Sequence, residues 1–199
     1  MQTKGPHPGD LLQGRRALPI IEVFYEFNQL KQLYRQGWLH RGVPPERCES
    51  VAEHTFSMAI LAMIIADRYY PELDRLKVLR MALLHDFGEI YAGDIVPTDG
   101  IDSAVKHQRE LDAVRRVLGK LAHGDEYVAL WQEYEDGATP EGRFVKQIDR
   151  LEMALQAVLY EQAGLVDAGQ FIESATRAIA DAPLIDILNA LLLMRSTAG

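Results

Sequence analysis

The sequence predicts an all-α domain, and three observations support that prediction. Apolar residues recur at the three- and four-residue spacing of amphipathic helices through most of the 199 residues. No stretch alternates apolar and polar residues with the β-branched enrichment of a strand. The glycines and prolines that interrupt the pattern divide it into segments of ordinary helix length. We therefore expect a helical bundle of six or more helices.

The amino-terminal quarter is predicted to contain a tail, a helix and a loop. Residues 1–17 are polar and include several glycines and prolines, so we expect a flexible tail before a single domain of residues 18–199. A helix is predicted from Pro19 to Arg35, because a glycine, which is a usual stop signal, follows shortly. Residues 37–49 are a predicted loop, since Pro44 and its proline neighbour forbid a regular helix.

The next helix has a clear start signal. Ser50 and Glu53 form the S-x-x-E pattern of a capping box ahead of an apolar run, and Pro71 is expected to end the helix near Tyr70. The later helical segments are Asp74 to Phe87, Ser103 to Leu121, Glu126 to Tyr134, Pro140 to Gln162 and Ala168 to Met194. We expect Pro183 to split or kink the last of them.

Composition and charge exclude several classes of function. The chain carries 21 basic and 29 acidic residues, a formal charge of -8, which disfavours general binding to nucleic acid or to an anionic membrane. Cys48 is the single cysteine, so we expect a reducing, cytoplasmic setting. No apolar run approaches the ~20 residues of a membrane span. The amino terminus lacks the apolar region of a signal peptide.

Four ionisable residues accompany apolar helical segments. His54 heads a core-facing row, His85 and Asp86 end the next apolar segment, and Asp149 flanks the apolar row of a later one. Each residue alone is more simply explained as a hydrogen-bonded core side chain or a paired boundary charge. Together, two imidazoles and two carboxylates suit a catalytic divalent cation better than a structural zinc, which prefers thiolates. Such an ion polarises a phosphoryl group and lowers the pKa of a bound water.

The order of these residues resembles a known signature. The pattern His54, His85-Asp86, Asp149 is similar to the H…HD…D motif of HD-domain metal-dependent phosphohydrolases. The block from His85 to Asp94, H-D-x-x-E-x-x-x-G-D, is more specific and resembles the 5'-deoxynucleotidase branch. The matching segments are Gly37 to Arg41, Glu49 to His54, Ala82 to Ile95 and Phe144 to Asp149. The likeness extends from about residue 20 to about residue 162.

The resemblance implies hydrolysis of deoxyribonucleoside 5'-monophosphates to deoxynucleoside and phosphate. Its implied metal ligands are His54, His85, Asp86 and Asp149. The implied cofactor is one divalent metal ion, Mn, Co or a similar ion, with Mg, Zn or Fe as alternatives. The implied partners are a small-molecule nucleotide substrate and a second copy of the chain. The apolar run of residues 184–194 supports a homodimer, because it has more apolar positions than one core face needs.

The resemblance also suggests catalytic and substrate-binding residues. Glu89 matches the family's glutamate that supports the attacking water, and Asp94 matches its second catalytic carboxylate. If the helix continues one more turn, Glu89 shares a face with His85. Trp38 matches a substrate-loop position, where it could pack against the sugar.

The phosphate contact is less specified by the motifs. Arg41 matches a position in the substrate loop, but Gly37 stands where the bacterial branch has an arginine. Lys146, one turn before Asp149, is therefore a second candidate. The charged stretch from Lys106 to Glu110 is typical of a solvated face, and its histidine is therefore not expected to bind a second metal.

Two alternatives to the nucleotidase hypothesis remain at this point. One is an HD phosphohydrolase acting on another nucleotide phosphate ester, such as a nucleoside triphosphate or a cyclic nucleotide. The other is a non-catalytic nucleotide-binding HD module. The second alternative predicts a damaged ligand set, whereas His54, His85, Asp86 and Asp149 are all present.

Overall fold

Helices make up nearly all regular structure in the computed structural model, which describes residues 1–15 and 17–197. Within these residues, extended backbone is paired only at two isolated bridges, Thr3 with Leu33 and Tyr34 with Ser50. The prediction of an all-α domain is confirmed. No helix in the described part of the chain is long and apolar enough to cross a membrane.

The α-helices follow one another with mostly short connections. In chain order they are α1 (Pro19–Phe27), α2 (Gln36–Leu39), α3 (Val51–Tyr69), α4 (Arg75–Leu84), α5 (Glu89–Ala92), α6 (Ser103–Leu118), α7 (Gly124–Asp136), α8 (Pro140–Gln162), α9 (Gly169–Ala178) and α10 (Ala182–Thr197). Short 3-10 helices occur at Pro8–Leu12, Asn28–Lys31, Pro45–Arg47 and Pro97–Asp99.

Several start and stop signals act as predicted. Helix α8 begins at Pro140 and ends at Gln162, as expected. The capping box is formed at α3, where the Glu53 N–H donates to Ser50 Oγ and the Ser50 N–H donates to a Glu53 carboxylate oxygen. The predicted last segment divides into α9 and α10, with Pro183 in the first turn of α10.

The first predicted helix is too long. Helix α1 ends at Phe27, and Arg35 has extended backbone just before α2. The Arg35 N–H donates to the Glu49 carbonyl and the Val51 N–H donates to the Leu33 carbonyl. These long-range bonds, together with complete burial of Leu33, favour extended backbone over continued helix. Part of the predicted loop 37–49 consequently lies in α2.

The amino-terminal segment contacts the domain at several points. The Gln2 N–H donates to Gln36 Oε1 over 2.9 Å, and Lys4 pairs with Glu53 at 3.2 Å. The flexibility predicted for residues 1–17, of which Arg16 lies outside the described residues, stays a prediction, as does the boundary of a single domain at residues 18–199. Hydrogen exchange of the segment would measure it.

Two groups of buried side chains form the core. The larger surrounds α3, α4 and α8 and includes Met58, Ala62, Met81, Ile148 and Leu151. The smaller lies among α1, α5, α6 and α7 and includes Val23, Ile90, Val114 and Trp131. The candidate site lies where α3, α8 and the turn after α4 approach one another, so its deepest groups are fixed by the larger core group.

Candidate active site

The turn after α4 presents two neighbouring side chains to one cavity. His85 follows the last residue of α4, and its backbone carbonyl accepts a hydrogen bond from Trp131 Nε1 at 2.9 Å. His85 Nδ1 lies 2.8 Å from the Ala82 carbonyl oxygen. Because a carbonyl only accepts, Nδ1 carries a proton and Nε2 faces the cavity. The local fold therefore fixes both the position and the tautomer of His85.

All four predicted metal ligands converge on the floor of this cavity. His54 Nε2 lies 3.2 Å from Asp149 Oδ1 and 3.3 Å from His85 Nε2. Asp86 Oδ2 lies 3.1 Å from His85 Nε2 and 3.8 Å from His54 Nε2. Candidate ligand atoms of His54, His85 and Asp149 all lie within 4.8 Å of one another. Side chains from α3, α8 and the turn between α4 and α5 thus meet at one point.

The donor set fits a divalent cation. Asp86 Oδ2 is buried and has no hydrogen-bond partner in the described part of the chain, and a buried acceptor of this kind is costly unless something satisfies it. Burial alone would raise the pKa of Asp86 and of Asp149. Instead, His85 holds the pKa of Asp86 well below its ordinary range. A hydrogen bond to His54 does the same for the pKa of Asp149. Both carboxylates are therefore ionised and face nitrogen donors, as a mixed N/O metal site requires.

His54 shows how strongly the cluster attracts positive charge. Burial and the Arg35 guanidinium lower its pKa, but hydrogen bonds to Asp149 and Glu152 outweigh them and raise it to about 10. Without another cation the imidazole therefore binds a second proton at neutral pH. A metal ion replaces that proton on Nε2, so metal affinity should fall as pH falls.

Glu89 and Asp94 are on the same side of the cavity but not on the helix of His85. Helix α4 ends at Leu84 and Glu89 begins α5, so the condition for a shared helix face, one more turn of helix after His85, is not met. The chain turns between them because α5 packs tightly on α6, where a Cβ at Gly88 would lie 2.5 Å from Glu110 Cβ. Glu89 is consequently buried at the cavity wall.

The two carboxylates differ in their surroundings. No described residue hydrogen-bonds to Glu89 Oε2, and burial together with Asp86 and Asp94 raises the pKa of Glu89 well above its ordinary value. Asp94 Oδ2 accepts the Gln36 N–H at 2.6 Å. Gly93 has a φ of 81°, a conformation that glycine adopts readily and that turns the chain after α5 toward α2.

Arg35 is a site residue that sequence reasoning missed. Its Nη1 lies 3.7 Å from Asp86 Oδ2 and 3.8 Å from Asp94 Oδ1, and it lines the cavity. Burial opposes its charge, but Asp94 and Asp86 raise its pKa well above the ordinary value. The sequence pattern predicts Arg35 at the end of a helix, and no periodicity marks an arginine that is buried by residues distant in sequence.

The three predicted substrate residues lie at different depths. Trp38 is 3% exposed and its Nε1–H donates to Glu49 Oε1 at 2.7 Å. Arg41 is exposed at the rim, where it donates to Gln170 at 2.6 Å. Lys146 is half-buried and its Nζ lies 4.6 Å from the Tyr134 ring centroid. All three line the cavity.

The cavity has a volume of about 870 Å³, within the ~300–1,000 Å³ common for small-molecule sites. Lys106 also lines it, with Nζ 3.2 Å from the Ile95 carbonyl oxygen and 3.5 Å from Glu110 Oε1. Glu110 is buried and the His107 ring stacks on Trp131. The interpretation of residues 106–110 as a solvated face holds for Gln108 and Arg109, which are exposed, and is wrong for the other three, which line the cavity.

Comparison with known proteins agrees with this geometry. Residues 27–185 match the HD domain family model. The chain is 39% identical over 150 residues to Homo sapiens 5'-deoxynucleotidase HDDC2, covering 74% of this chain and 71% of that protein. It is 37% identical over 175 residues to Saccharomyces cerevisiae 5'-deoxynucleotidase YGK1, covering 84% and 75%.

A solved structure supports the same assignment. A Magnetospirillum magnetotacticum protein described as a predicted metal-dependent phosphohydrolase superposes with a TM-score of 0.69 at 29% identity, covering 90% of this chain and 94% of that one. The family match spans most of the chain and includes His54, His85, Asp86 and Asp149. The chain belongs to the HD domain family.

Proposed function

We propose that this protein is a metal-dependent phosphomonoesterase that hydrolyses deoxyribonucleoside 5'-monophosphates to deoxynucleoside and phosphate. The convergence of His54, His85, Asp86 and Asp149 at the floor of a nucleotide-sized cavity, with Glu89 and Asp94 beside them, carries the proposal. The names of the human and yeast relatives, both 5'-deoxynucleotidases, support this substrate class.

The four floor residues would hold one divalent metal ion, for which we propose Mn²⁺, Co²⁺ or a similar ion. When bound, such an ion polarises the phosphoryl group and lowers the pKa of water. The positive charge of Arg35 offsets only part of the negative charge of Asp86 and Asp149. Binding a dianionic phosphate here therefore needs an additional cation.

Glu89 is the proposed general base. It is buried at the cavity wall, and one of its oxygens has no partner among the described residues. The positive charge of Arg35, together with that of a bound cation, would favour the ionised form that accepts a proton from the attacking water. The new P–O bond forms to that water while the bond to the 5' oxygen breaks, and a proton ends on the 5' oxygen. Asp94 is the proposed second catalytic carboxylate, held by the Gln36 N–H and facing Arg35.

Substrate binding is assigned to cationic and aromatic side chains along the cavity. Arg35 lies deepest, and Lys146 and Arg41 lie farther out, so the phosphate is expected to contact Arg35 before the other two. Trp38 is the proposed wall against the sugar, because it is large, buried and held at its Nε1. An apolar wall offers no partner to a 2'-hydroxyl, which favours deoxyribose.

A phosphate-release screen tests the proposal. The purified protein should release phosphate from deoxyribonucleoside monophosphates, faster than from ribonucleotides, and only with a divalent ion added after chelation. Release only from a nucleoside triphosphate, or cleavage only of a cyclic nucleotide, would support another HD phosphohydrolase. Nucleotide binding without turnover under any metal would support a non-catalytic module.

We also propose a cytoplasmic homodimer with no nucleic-acid or membrane partner. The acidic charge and single buried Cys48 support the setting and the absence of those partners. The carboxy-terminal run supports a dimer less than expected, since Leu184, Leu188 and Leu191 are buried in their own chain. The exposed residues of α3, Phe56, Ile60 and Ile64, share one face and suit a second copy better. Light scattering at micromolar concentration would measure the mass.

A further inference from the structure

A buried carboxylate lies directly behind one proposed metal ligand. Glu152 Oε2 is 2.7 Å from His54 Nδ1, while His54 Nε2, on the other side of the ring, is 3.2 Å from Asp149 Oδ1. Both His54 and Glu152 are buried, at 0% and 5% exposure. The imidazole is therefore held between two acidic side chains of the same helix, α8.

We propose that Glu152 is a positioning residue that fixes the tautomer and ring orientation of His54 for metal binding. A carboxylate only accepts hydrogen bonds, so its contact places a proton on Nδ1. A neutral imidazole with a proton on Nδ1 has its lone pair on Nε2, which faces His85 and Asp149. The inference rests on the proposed metal site, and it assigns to Glu152 a role that does not touch the substrate.

The geometry of α8 explains why Glu152 can do this. Asp149 and Glu152 are three residues apart, so their side chains lie on the same face of the helix. Asp149 reaches the Nε2 side of the His54 ring and Glu152 reaches the Nδ1 side. One helical turn therefore supplies both a proposed ligand and the support of another ligand, and no separate element has to be aligned.

A second metal position behind His54 is the main alternative, because Glu49, His54 and Glu152 also place candidate ligand atoms within 4.8 Å of one another. Two contacts oppose it. Glu49 Oε1 already accepts the Trp38 Nε1–H at 2.7 Å, and His54 Nδ1 is already bonded to Glu152. The two carboxylates thus accept hydrogen bonds from different groups. Glu152 accepts from the proposed metal ligand His54, and Glu49 accepts from Trp38, the proposed wall against the sugar.

Two substitutions at Glu152 and one at Glu49 test the inference. Glu152→Met keeps the volume and removes the acceptor, Glu152→Gln keeps an acceptor oxygen, and Glu49→Gln is the matched control at the other carboxylate. Calorimetric titration with Mn²⁺ should show affinity reduced ~10–100-fold in Glu152→Met. Glu152→Gln should remain within a few-fold of the native protein. Glu49→Gln keeps an acceptor for the Trp38 Nε1–H and leaves the contact behind His54 intact, so it should keep the native metal affinity.

An NMR measurement on the native protein supplies a readout that needs neither turnover nor a variant. With ¹⁵N-labelled histidine, His54 should show a proton on Nδ1 that exchanges slowly, in the metal-free and the Zn²⁺-loaded protein. A His54 Nδ1 that carries no proton would overturn the inference, even if the variants failed to fold. So would Mn²⁺ affinity in folded Glu152→Met equal to that of the native protein.

Failure of the proposed function gives a different pattern. If the native protein binds no divalent ion and releases no phosphate, the metal site is wrong, and the inference that depends on it falls with it. If the native protein binds the ion and Glu152→Met binds it equally well, the metal site stands and only the positioning role is lost.

Discussion

The floor and the rim of the cavity are built in different ways. On the floor, His54, His85 and Asp149 come from the central helices or the turn after one of them, and the two histidines are buried. On the rim, Arg41 is an exposed side chain, and its partner Gln170 is exposed as well. Buried groups held from several sides keep one geometry, whereas exposed pairs contribute ~0.2–1 kcal/mol each. The core therefore fixes the positions of the groups proposed to react. Selection of the substrate depends on the weaker, more adaptable contacts of the rim.

The largest expected effect lies on the floor. Asp86→Ala removes a proposed ligand and a charge from a set in which every member faces another. We expect turnover to be lost and metal affinity to fall by more than the ~10–100-fold typical of a supporting residue. Elemental analysis and phosphate release would measure both. Full metal occupancy with native rates in this variant would contradict the site assignment.

Glu89→Gln tests the buried wall beside the floor without removing a proposed ligand. The amide preserves shape but cannot accept the proton, so kcat should fall ~10²–10⁴-fold while metal content stays unchanged. Circular dichroism and metal analysis are the controls, and single-turnover phosphate release is the readout. A rate within a few-fold of the native enzyme would remove Glu89 from the mechanism.

The same contrast explains how far the sequence could predict this site. His54, His85, Asp86 and Asp149 were predicted together because helical periodicity and a known motif both mark them. Arg35 was missed because its burial depends on hydrogen bonds between residues 33–35 and 49–51, which no local pattern encodes. Glu152 carried a usable signal, its three-residue spacing from Asp149, and could have been found by following the face of α8.

Helix boundaries also differ in whether local sequence signals predict them. The limits of α8 and the start of α3 follow local signals, Pro140 and the Ser50 capping box, and were predicted well. The turn between α4 and α5 depends on the close approach of Gly88 to Glu110 on α6, a contact between residues 22 positions apart. The predicted segment ends at Phe87, three residues past the observed end of α4 at Leu84, and α5 has only four residues, too few to show a periodicity.

Trp38 lies between the floor and the rim of the cavity. Substituting it should change the ratio of the rates on deoxyribonucleotides and ribonucleotides. If it is the sugar wall, the native protein should prefer deoxyadenosine over adenosine 5'-monophosphate by about 5- to 150-fold in kcat/KM, equivalent to ~1–3 kcal/mol for an unpaired hydroxyl. Trp38→Ala should bring that ratio toward one. Trp38→Phe, which keeps an apolar ring but loses the bond to Glu49, is the control and should retain most of the preference. Equal loss on both substrates in Trp38→Ala would make Trp38 a structural residue only.

Glu110, in the cavity wall, should make the stability of the protein depend on pH. Burial raises its pKa to about 7, although Lys106 opposes the rise. The native state then binds more protons than the unfolded state between the ordinary glutamate value and pH 7, so the free energy of unfolding falls as pH rises through that window. Glu110→Gln should remove this pH dependence, which amounts to up to about 3 kcal/mol in the free energy of unfolding across the window. Urea unfolding of both metal-free proteins at pH 5 to 8 would measure the difference, and parallel curves would contradict the assignment.

The smallest effect is expected at the rim. Arg41 donates to Gln170 and lies 5.3 Å from the Phe171 ring centroid, so its guanidinium already has partners in the absence of a phosphate. Arg35, in contrast, is deeper and faces Asp86 and Asp94 directly. If the phosphate depends mainly on the deeper arginine, Arg41→Ala should raise KM only ~2- to 5-fold, as an exposed contact would, and leave kcat unchanged. A drop in kcat of ~100-fold would place Arg41 on the reacting phosphate instead. It would also require the rim to move inward over the floor when substrate binds, so that the two regions would no longer differ as their burial suggests.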